Sequence, residues 1–70
     1  MKTIQAWIAR DKDIGLWLRF SKPFKHQNQW LVTEICRPSI RLNDSDFPNI
    51  KWKDKDPTEV EVTIKVKQHE

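Results

Sequence analysis

The sequence predicts an all-β protein: a small antiparallel sheet of four to five strands, open or curled into a half-barrel, with one helical turn near residues 43–49. Three observations lead to this prediction. Apolar and polar residues alternate along the closing segment, residues 57–67, and a second alternation runs through residues 3–20 around the only glycine. No ten-residue stretch has apolar side chains at helical spacing. Strands with one apolar face are typical of antiparallel sheets, so we expect a single small β domain over residues 1–70.

The closing segment has the strictest alternation in the chain. Successive side chains of a strand point to opposite faces, so one face carries β-branched apolar residues and the other carries polar ones. The apolar residues are Val60, Val62, Ile64 and Val66. We expect that face to be buried and the other to meet water.

The opening residues predict a β-hairpin. Residues 3–8 and 16–20 alternate as strands, and residues 10–15 form the turn, with Gly15 where a positive φ is needed. Placing Ile8 opposite Leu16 brings Ile4, Ala6, Ile8, Leu16, Leu18 and Phe20 onto one face. The same register predicts that Trp7 lies directly opposite Trp17 on the other face.

The middle of the chain predicts shorter elements. Residues 21–29 contain Pro23 and a polar run, which indicate a loop. Residues 30–36 resume as a strand that ends before Pro38, and residues 39–42 form a short strand. Residues 43–49 are rich in turn formers, residues 50–53 extend again, and residues 54–57 form the last turn.

Size and composition limit how this domain is stabilised. A 70-residue chain buries only about 60% of its unfolded surface, so it needs reinforcement. The lone Cys36 excludes an internal disulfide, and Cys36 with His26 and His69 cannot complete a structural zinc site. Four tryptophans and three phenylalanines are therefore the expected source of stability, with self-association as the alternative. Absence of a signal-type or membrane-spanning apolar run predicts a soluble, cytoplasmic protein with no membrane partner.

The sequence contains no pattern that carries a reaction. Three Asp-x-Asp pairs occur, at residues 11/13, 44/46 and 54/56, and they are typical of turns rather than of metal sites. One glycine cannot build a phosphate loop, and His26 lies beside no nucleophile or acid in the sequence. We expect no enzyme activity, no metal or cofactor, and no small-molecule substrate. The net charge of +3 suits solubility or an acidic partner.

The Trp7/Trp17 pair suggests a protein-binding site. Two adjacent indoles on the second face of so small a sheet would form an exposed apolar patch, with Arg10 and Arg19 as polar anchors. The partner would be a foreign protein or a second copy of the chain. The alternative is that residues 21–29 or 43–53 fold over the pair and bury it.

A second hypothesis is single-stranded nucleic-acid binding. Residues 14–33 contain no acidic side chain, and basic residues alternate there with flat rings. A basic groove follows phosphates while rings stack on unpaired bases. The candidate residues are Arg19, Lys22, Phe24, Lys25 and Trp30.

Both ends of the chain carry a family resemblance. The opening Met1–Asp13, Lys22-Pro23 after the second strand, and the later Phe47-Pro48, Trp52 and Pro57-Thr58-x-Val60 resemble a group of small proteins of bacterial phages and mobile elements. Ile14, between Asp13 and Gly15, departs from the pattern. The group has no established activity, so no functional residue transfers. The resemblance implies a context in which small proteins bind and modulate a host or defence protein.

Overall fold

The computed structural model describes residues 1–34 and 37–67. It is a small all-β protein, which confirms the predicted fold class. Six strands form two antiparallel sheets, one of four strands and one of two. The strands are β1 (Lys2–Arg10), β2 (Leu16–Arg19), β3 (Phe24–His26), β4 (Gln29–Leu31), β5 (Ser39–Arg41) and β6 (Thr58–Ile64).

Strand β1 lies at the centre of the larger sheet, whose order is β5-β2-β1-β6. It pairs with β6 along seven consecutive residues, from Lys2 opposite Ile64 to Ile8 opposite Thr58. It pairs with β2 only over its last four residues, from Trp7 opposite Arg19 to Arg10 opposite Leu16. The first half of β1 therefore has a strand neighbour on one side only.

The sheet has two chemically different faces. Because side chains alternate along each strand, even-numbered residues share one face and odd-numbered residues share the other. We call the even-numbered side the apolar face; its residues include Ile4, Ala6, Ile8, Leu16, Leu18, Ile40, Val60, Val62 and Ile64. We call the other side the polar face; its residues include Thr3, Gln5, Trp7, Ala9, Trp17, Arg19, Glu59, Glu61 and Thr63.

The predicted hairpin exists, but its predicted register is wrong by two residues. Trp7 lies opposite Arg19, and Trp17 lies opposite Ala9, so the two tryptophans are diagonal neighbours. A shift of two residues keeps every side chain on its predicted face. The turn is shorter than the predicted register required, because only residues 11–15 separate Arg10 from its partner Leu16, and Asp11 N donates to Gly15 O at 2.8 Å. The positive φ expected at Gly15 is confirmed, at +108°.

Other elements differ from their predictions. Residues 21–29 were expected to be a loop but include β3 and the turn to β4, where Gln27 has a φ of +56°. Residues 50–53 are not a strand, and the expected helical turn is replaced by tight turns closed by Asp46 N to Asn43 O and Ile50 N to Phe47 O. Of the strand expected over residues 30–36, Trp30 and Leu31 belong to β4, while Ile35 and Cys36 lie outside the described residues.

The hydrophobic core is concentrated at one end of the sheet. Ile8, Leu16 and Ile50 form its buried cluster, with Leu18, Leu42 and Val60 packed against it. Ile50 comes from the turns of residues 43–50, which cover the apolar face at this end. In residues 1–34 and 37–67, no helix is long and apolar enough to cross a membrane.

Candidate protein-binding surface

Arg10 ends β1 on the apolar face and holds the turns that cover it. Its Nε donates to the carbonyl of Ile50 at 2.7 Å, and its Nη1 donates to the carbonyl of Asp44 at 3.1 Å. Its Nη2 reaches the carbonyls of Asp46 at 3.1 Å and Phe47 at 3.5 Å. A guanidinium carries five donors in a rigid fork, so one side chain can order several carbonyls. Arg10 is therefore an internal anchor of residues 44–50 and not the exposed partner anchor that the sequence suggested.

Asp11, the next residue, holds the segment that covers the polar face. It is buried, and its Oδ1 accepts a hydrogen bond from the backbone N of Trp30 at 2.7 Å. Arg19 Nη2 donates to the carbonyl of Trp30 at 3.3 Å, and Lys12 N donates to Asn28 O at 3.1 Å. These contacts place the β3–β4 hairpin over the polar face at the C-terminal end of β1. Burial raises the pKa of Asp11, although the hydrogen bond from Trp30 and the charges of Arg19 and Arg41 oppose the rise.

The two covering segments also meet each other. The Lys25 ammonium, on β3, lies 4.5 Å from the ring centre of Trp52 and 5.3 Å from that of Trp30. Such cation–π contacts are worth roughly 0.5–1 kcal/mol at exposed sites. Both faces are thus closed at the end of the sheet where Arg10 and Asp11 lie.

The rest of the apolar face is open. Ile64, opposite Lys2 at the far end, is 51% exposed, and Ile40, on the edge strand β5 in the same cross-strand row as Ile8, is 44% exposed, while Ile8 itself is 4% exposed. A groove of about 420 Å³ borders the core and is lined by Ile8, Leu18, Leu42, Phe47, Val60, Glu61 and Val62. A second groove, of about 320 Å³, is lined by Ile4, Phe20, Arg37, Pro38 and Ile64. The expectation that Val60, Val62, Ile64 and Val66 are buried is therefore wrong for Ile64 and Val66, and Val60 and Val62 are only half-buried.

Phe47 borders the first groove in an unusual backbone conformation. Its φ is +50°, a region that bulky residues rarely adopt, and its side chain is 51% exposed. The conformation costs about 1–2 kcal/mol in a non-glycine residue. The hydrogen bond from Ile50 N to its carbonyl, at 2.9 Å, and the contact with Arg10 hold it in place. Strain combined with an exposed ring makes Phe47 a candidate contact residue.

The Trp7/Trp17 pair is only half-exposed. Trp17 has the guanidinium carbons of Arg19 at 5.3 Å and Arg41 at 5.7 Å from its ring centre, so its ring already has partners. Trp7 borders a groove of about 360 Å³ whose lining is mixed, with Gln5, Lys22 and Glu34 among its residues. The β3–β4 hairpin covers part of this face, as the alternative interpretation of residues 21–29 anticipated. The two apolar grooves described above lie on the opposite side of the sheet.

The residues named for nucleic-acid binding are not brought together as a stacking platform. Trp30 is buried at 3% exposure, and Arg19 is used in contacts with Trp17, Trp30 and Ser39. Lys25 lies against Trp30 and Trp52. Lys22 is exposed and Phe24 is 45% exposed, which leaves one basic side chain and one ring.

The acidic pairs lie apart from one another. Asp44 accepts from Arg41 at 2.9 Å, and Asp54 accepts from the backbone N of Lys51 at 3.0 Å, as turn residues do. No three His, Cys, Asp or Glu side chains within residues 1–34 and 37–67 are grouped to hold a metal ion. Cys36 and His69 lie outside the described residues.

The chain exposes more surface than its size requires. Its accessible surface is 5607 Å², whereas a compact folded monomer of this mass exposes about 4,600 Å². The excess, about 1,000 Å², is comparable to the roughly 800 Å² that each partner buries in a standard protein interface. The flat outline, 48 × 27 × 17 Å, reflects a sheet that is only partly covered.

Sequence reasoning missed Arg10 as a structural anchor, although a signal was present. In the predicted alternation Arg10 follows Ile4, Ala6 and Ile8 on the apolar face. A cation on a buried face requires hydrogen-bond acceptors, and the polar turn segment of residues 43–49 is a rich source of carbonyls.

Comparison with known proteins adds no relative: no family model, curated protein or solved structure matches this chain.

Proposed function

We propose that this protein is a non-enzymatic protein-interaction module whose binding surface is the uncovered part of the apolar face. The observation that carries the proposal is the pair of apolar grooves, one bordered by Phe47 and the other by Ile64, on a face that is buried around Ile8 and Leu16. Contiguous exposed apolar surface in a soluble protein is typical of partner sites. The excess surface is also sufficient for one standard interface.

Phe47 is the proposed anchor of this surface. Aromatic residues that lie next to apolar pockets are common hot spots of protein interfaces. Here the ring projects beside the groove and its backbone is fixed by Arg10, so little entropy is lost when a partner orders it. The partner chemistry that fits is an apolar ridge, because the groove is lined by aliphatic side chains and the Phe47 ring, with Glu61 as its one charged residue.

The sequence resemblance supports a host or defence protein as the partner. If the chain acts as small phage-type proteins do, the ridge belongs to a host or defence protein, and the interaction takes place in the cytoplasm. Binding of single-stranded nucleic acid is the weaker alternative, because Trp30 is buried and Arg19 and Lys25 already contact rings of this chain.

The experiment compares two exposed phenylalanines. Phe47→Asn removes the groove ring and keeps a residue type that tolerates positive φ, while Phe24→Asn removes a ring of similar exposure, 45% against 51%, from β3. Immobilised wild type and both variants are used to capture protein from bacterial cytoplasm. We expect a retained protein to bind Phe24→Asn like wild type and Phe47→Asn at least about tenfold more weakly.

Thermal unfolding accompanies the capture. Phe47→Asn should unfold within a few degrees of wild type, since relief of strain offsets the lost contacts. Equal capture by Phe47→Asn and wild type would contradict the proposal. Loss of capture by Phe24→Asn alone would move the binding site to the β3–β4 hairpin.

A further inference from the structure

Strand β6 presents a long unpaired edge. It pairs with β1 on one side without a bulge over seven residues, and it is the last strand of the sheet. Within residues 1–34 and 37–67, its backbone hydrogen bonds go to β1 alone. The opposite edge strand, β5, has three residues. Long, regular edges are templates for pairing with another chain.

The polar/apolar alternation of β6 also continues beyond Ile64, the last residue that pairs with β1. Pairing with β1 ends at Lys2 opposite Ile64. Lys65, Val66 and Lys67 keep the polar/apolar order of the strand, and Val66 is 83% exposed. A segment that has the residue pattern of a strand but no partner strand in this sheet is suited to pair with a strand of another chain.

We propose that two copies of this chain pair antiparallel along β6, about a two-fold axis at Thr63, to form one eight-stranded sheet. In this register Val62 lies opposite Ile64 of the second copy and Val60 lies opposite its Val66. Directly opposed side chains share a face, so all four apolar residues extend the apolar face across the junction. The interface is isologous, as closed dimers require.

Charge complementarity selects this register. With the axis at Thr63, Glu61 lies opposite Lys65 of the second copy, and Glu59 lies opposite its Lys67. An axis at Glu61 would place two carboxylates against each other, and an axis at Val62 would pair Glu61 with Thr63. Opposite charges in cross-strand positions are favourable and like charges are not. Only the Thr63 register pairs both glutamates with lysines.

The dimer uses the strand edge, whereas the proposed function uses the open apolar face. The two surfaces share Val60, Val62 and Ile64, whose side chains line the grooves and whose backbone forms the strand edge, while Phe47 and Ile40 lie away from the edge of β6. Loss of pairing along the edge therefore does not remove the Phe47 groove, and loss of binding at Phe47 does not affect the edge. Formation of the dimer would place the apolar faces of both copies on the same side of one sheet.

Sedimentation equilibrium of the full chain tests the pairing through a charge swap. Glu61→Lys and Lys65→Glu each place like charges opposite each other twice, once on each side of the axis. We expect each single variant to raise the dimer dissociation constant about tenfold or more, and the double variant to return it close to wild type. All the substituted side chains are exposed, and circular dichroism checks that the variants fold. Ile40→Lys, on the apolar face at the far edge, should leave the dimer unchanged.

A cross-link reports the register directly. Thr63→Cys in a Cys36→Ser background should form an intermolecular disulfide or bismaleimide link, since residue 63 faces itself across the axis. Thr3→Cys, which faces Thr63 within the chain from β1, is the matched control and should not cross-link. A wild-type mass of one chain at high micromolar concentration would overturn the proposal. If the dimer dissociation constant is unchanged by both charge reversals but the dimer is lost in Ile40→Lys, the edge-pairing proposal is overturned in favour of face-to-face packing.

Discussion

The two ends of the four-stranded sheet share one alternating pattern but differ in how they are covered. At the C-terminal end of β1, Ile8 and Ala9 are buried at 4% and 3% exposure, one on each face. At the opposite end, Ile64, which lies opposite Lys2, keeps 51% exposure on the apolar face. Alternation sets which side chains share a face. Polar side chains that bind covering segments decide which part of that face is buried.

Arg10 and Asp11 produce the difference. They are consecutive, so they point to opposite faces, and each holds one covering segment through backbone atoms. No equivalent pair of described side chains acts at the other end of β1. The open end is consequently left uncovered, while these hydrogen bonds fix the closed end.

Arg10→Met should have the largest effect on stability. It keeps the aliphatic stem but removes the donors to the carbonyls of Asp44, Asp46 and Ile50. We expect the free energy of unfolding to fall by about 3 kcal/mol, because several charged hydrogen bonds are lost together. Urea denaturation measures the change, and amide exchange at Ile50 should show that residues 44–50 have opened.

Arg41→Met is the matched control for this prediction. Its ion pair with Asp44, at 2.9 Å, is largely exposed, so the expected loss is under about 1 kcal/mol. Equal losses for the two variants would show that the covering turns do not depend on Arg10, and the contrast between the ends would need another cause.

Asp11→Ala should cause the next largest loss of stability. It leaves the buried N–H of Trp30 without its acceptor, which costs about 1–3 kcal/mol. Asp11→Asn keeps an oxygen that can accept this bond and should cost less than half as much. Chemical denaturation of both variants tests the prediction, and a greater loss for Asn than for Ala would count against the hydrogen bond as the cause.

The pH dependence of stability that Asp11 causes should be a smaller effect, and the direction of its pKa shift sets its sign. Burial raises its pKa in the folded state above the ordinary value, so the folded state holds the proton more tightly than the unfolded state. The stability that this group contributes is present at acid pH and declines as the pH rises through the raised pKa. The stability of Asp11→Asn relative to wild type should therefore increase from acid to neutral pH. A difference that is constant with pH would mean that the carboxyl is not desolvated.

Gln27→Gly should have the smallest effect, an increase in stability. Gln27 has a φ of +56° in the β3–β4 turn, which glycine adopts without strain. We expect a gain of about 0.5–1 kcal/mol from thermal unfolding. Asn28→Gly is the control: its φ is not positive, so glycine should add only flexibility and lower the melting temperature.

The sequence predicted the faces of the sheet better than their environment. Period-two alternation identified β1, β2 and β6 and placed Trp7, Ile8 and Val62 on the correct sides, because side-chain direction is a local property of a strand. The register was missed by two residues because the length of the turn depends on contacts such as Asp11 N to Gly15 O. A shift of two residues changes no face and leaves no sign in the pattern.

The binding surface was harder to predict, because it depends on long-range packing. The apolar side of β6 was expected to be filled, yet residues 43–50 cover only the end nearest Arg10. The cover over Trp17 and the positions of Lys25 and Trp52 are set by contacts between segments far apart in the chain. Short, irregular segments such as β3 carry too few residues for periodicity to identify them.

Methyl exposure measured by NMR tests the central contrast most directly. In a sample labelled at isoleucine δ1-methyl groups, a soluble nitroxide should strongly attenuate Ile64, at the open end of the apolar face, as it does Ile14 in the exposed turn. Ile8 and Ile50, buried at 4% and 8% exposure, should be protected. Attenuation of Ile64 close to that of Ile14 is the result we predict. Protection of Ile64 equal to that of Ile8 would mean that the apolar face is covered along its whole length, and it would contradict the account.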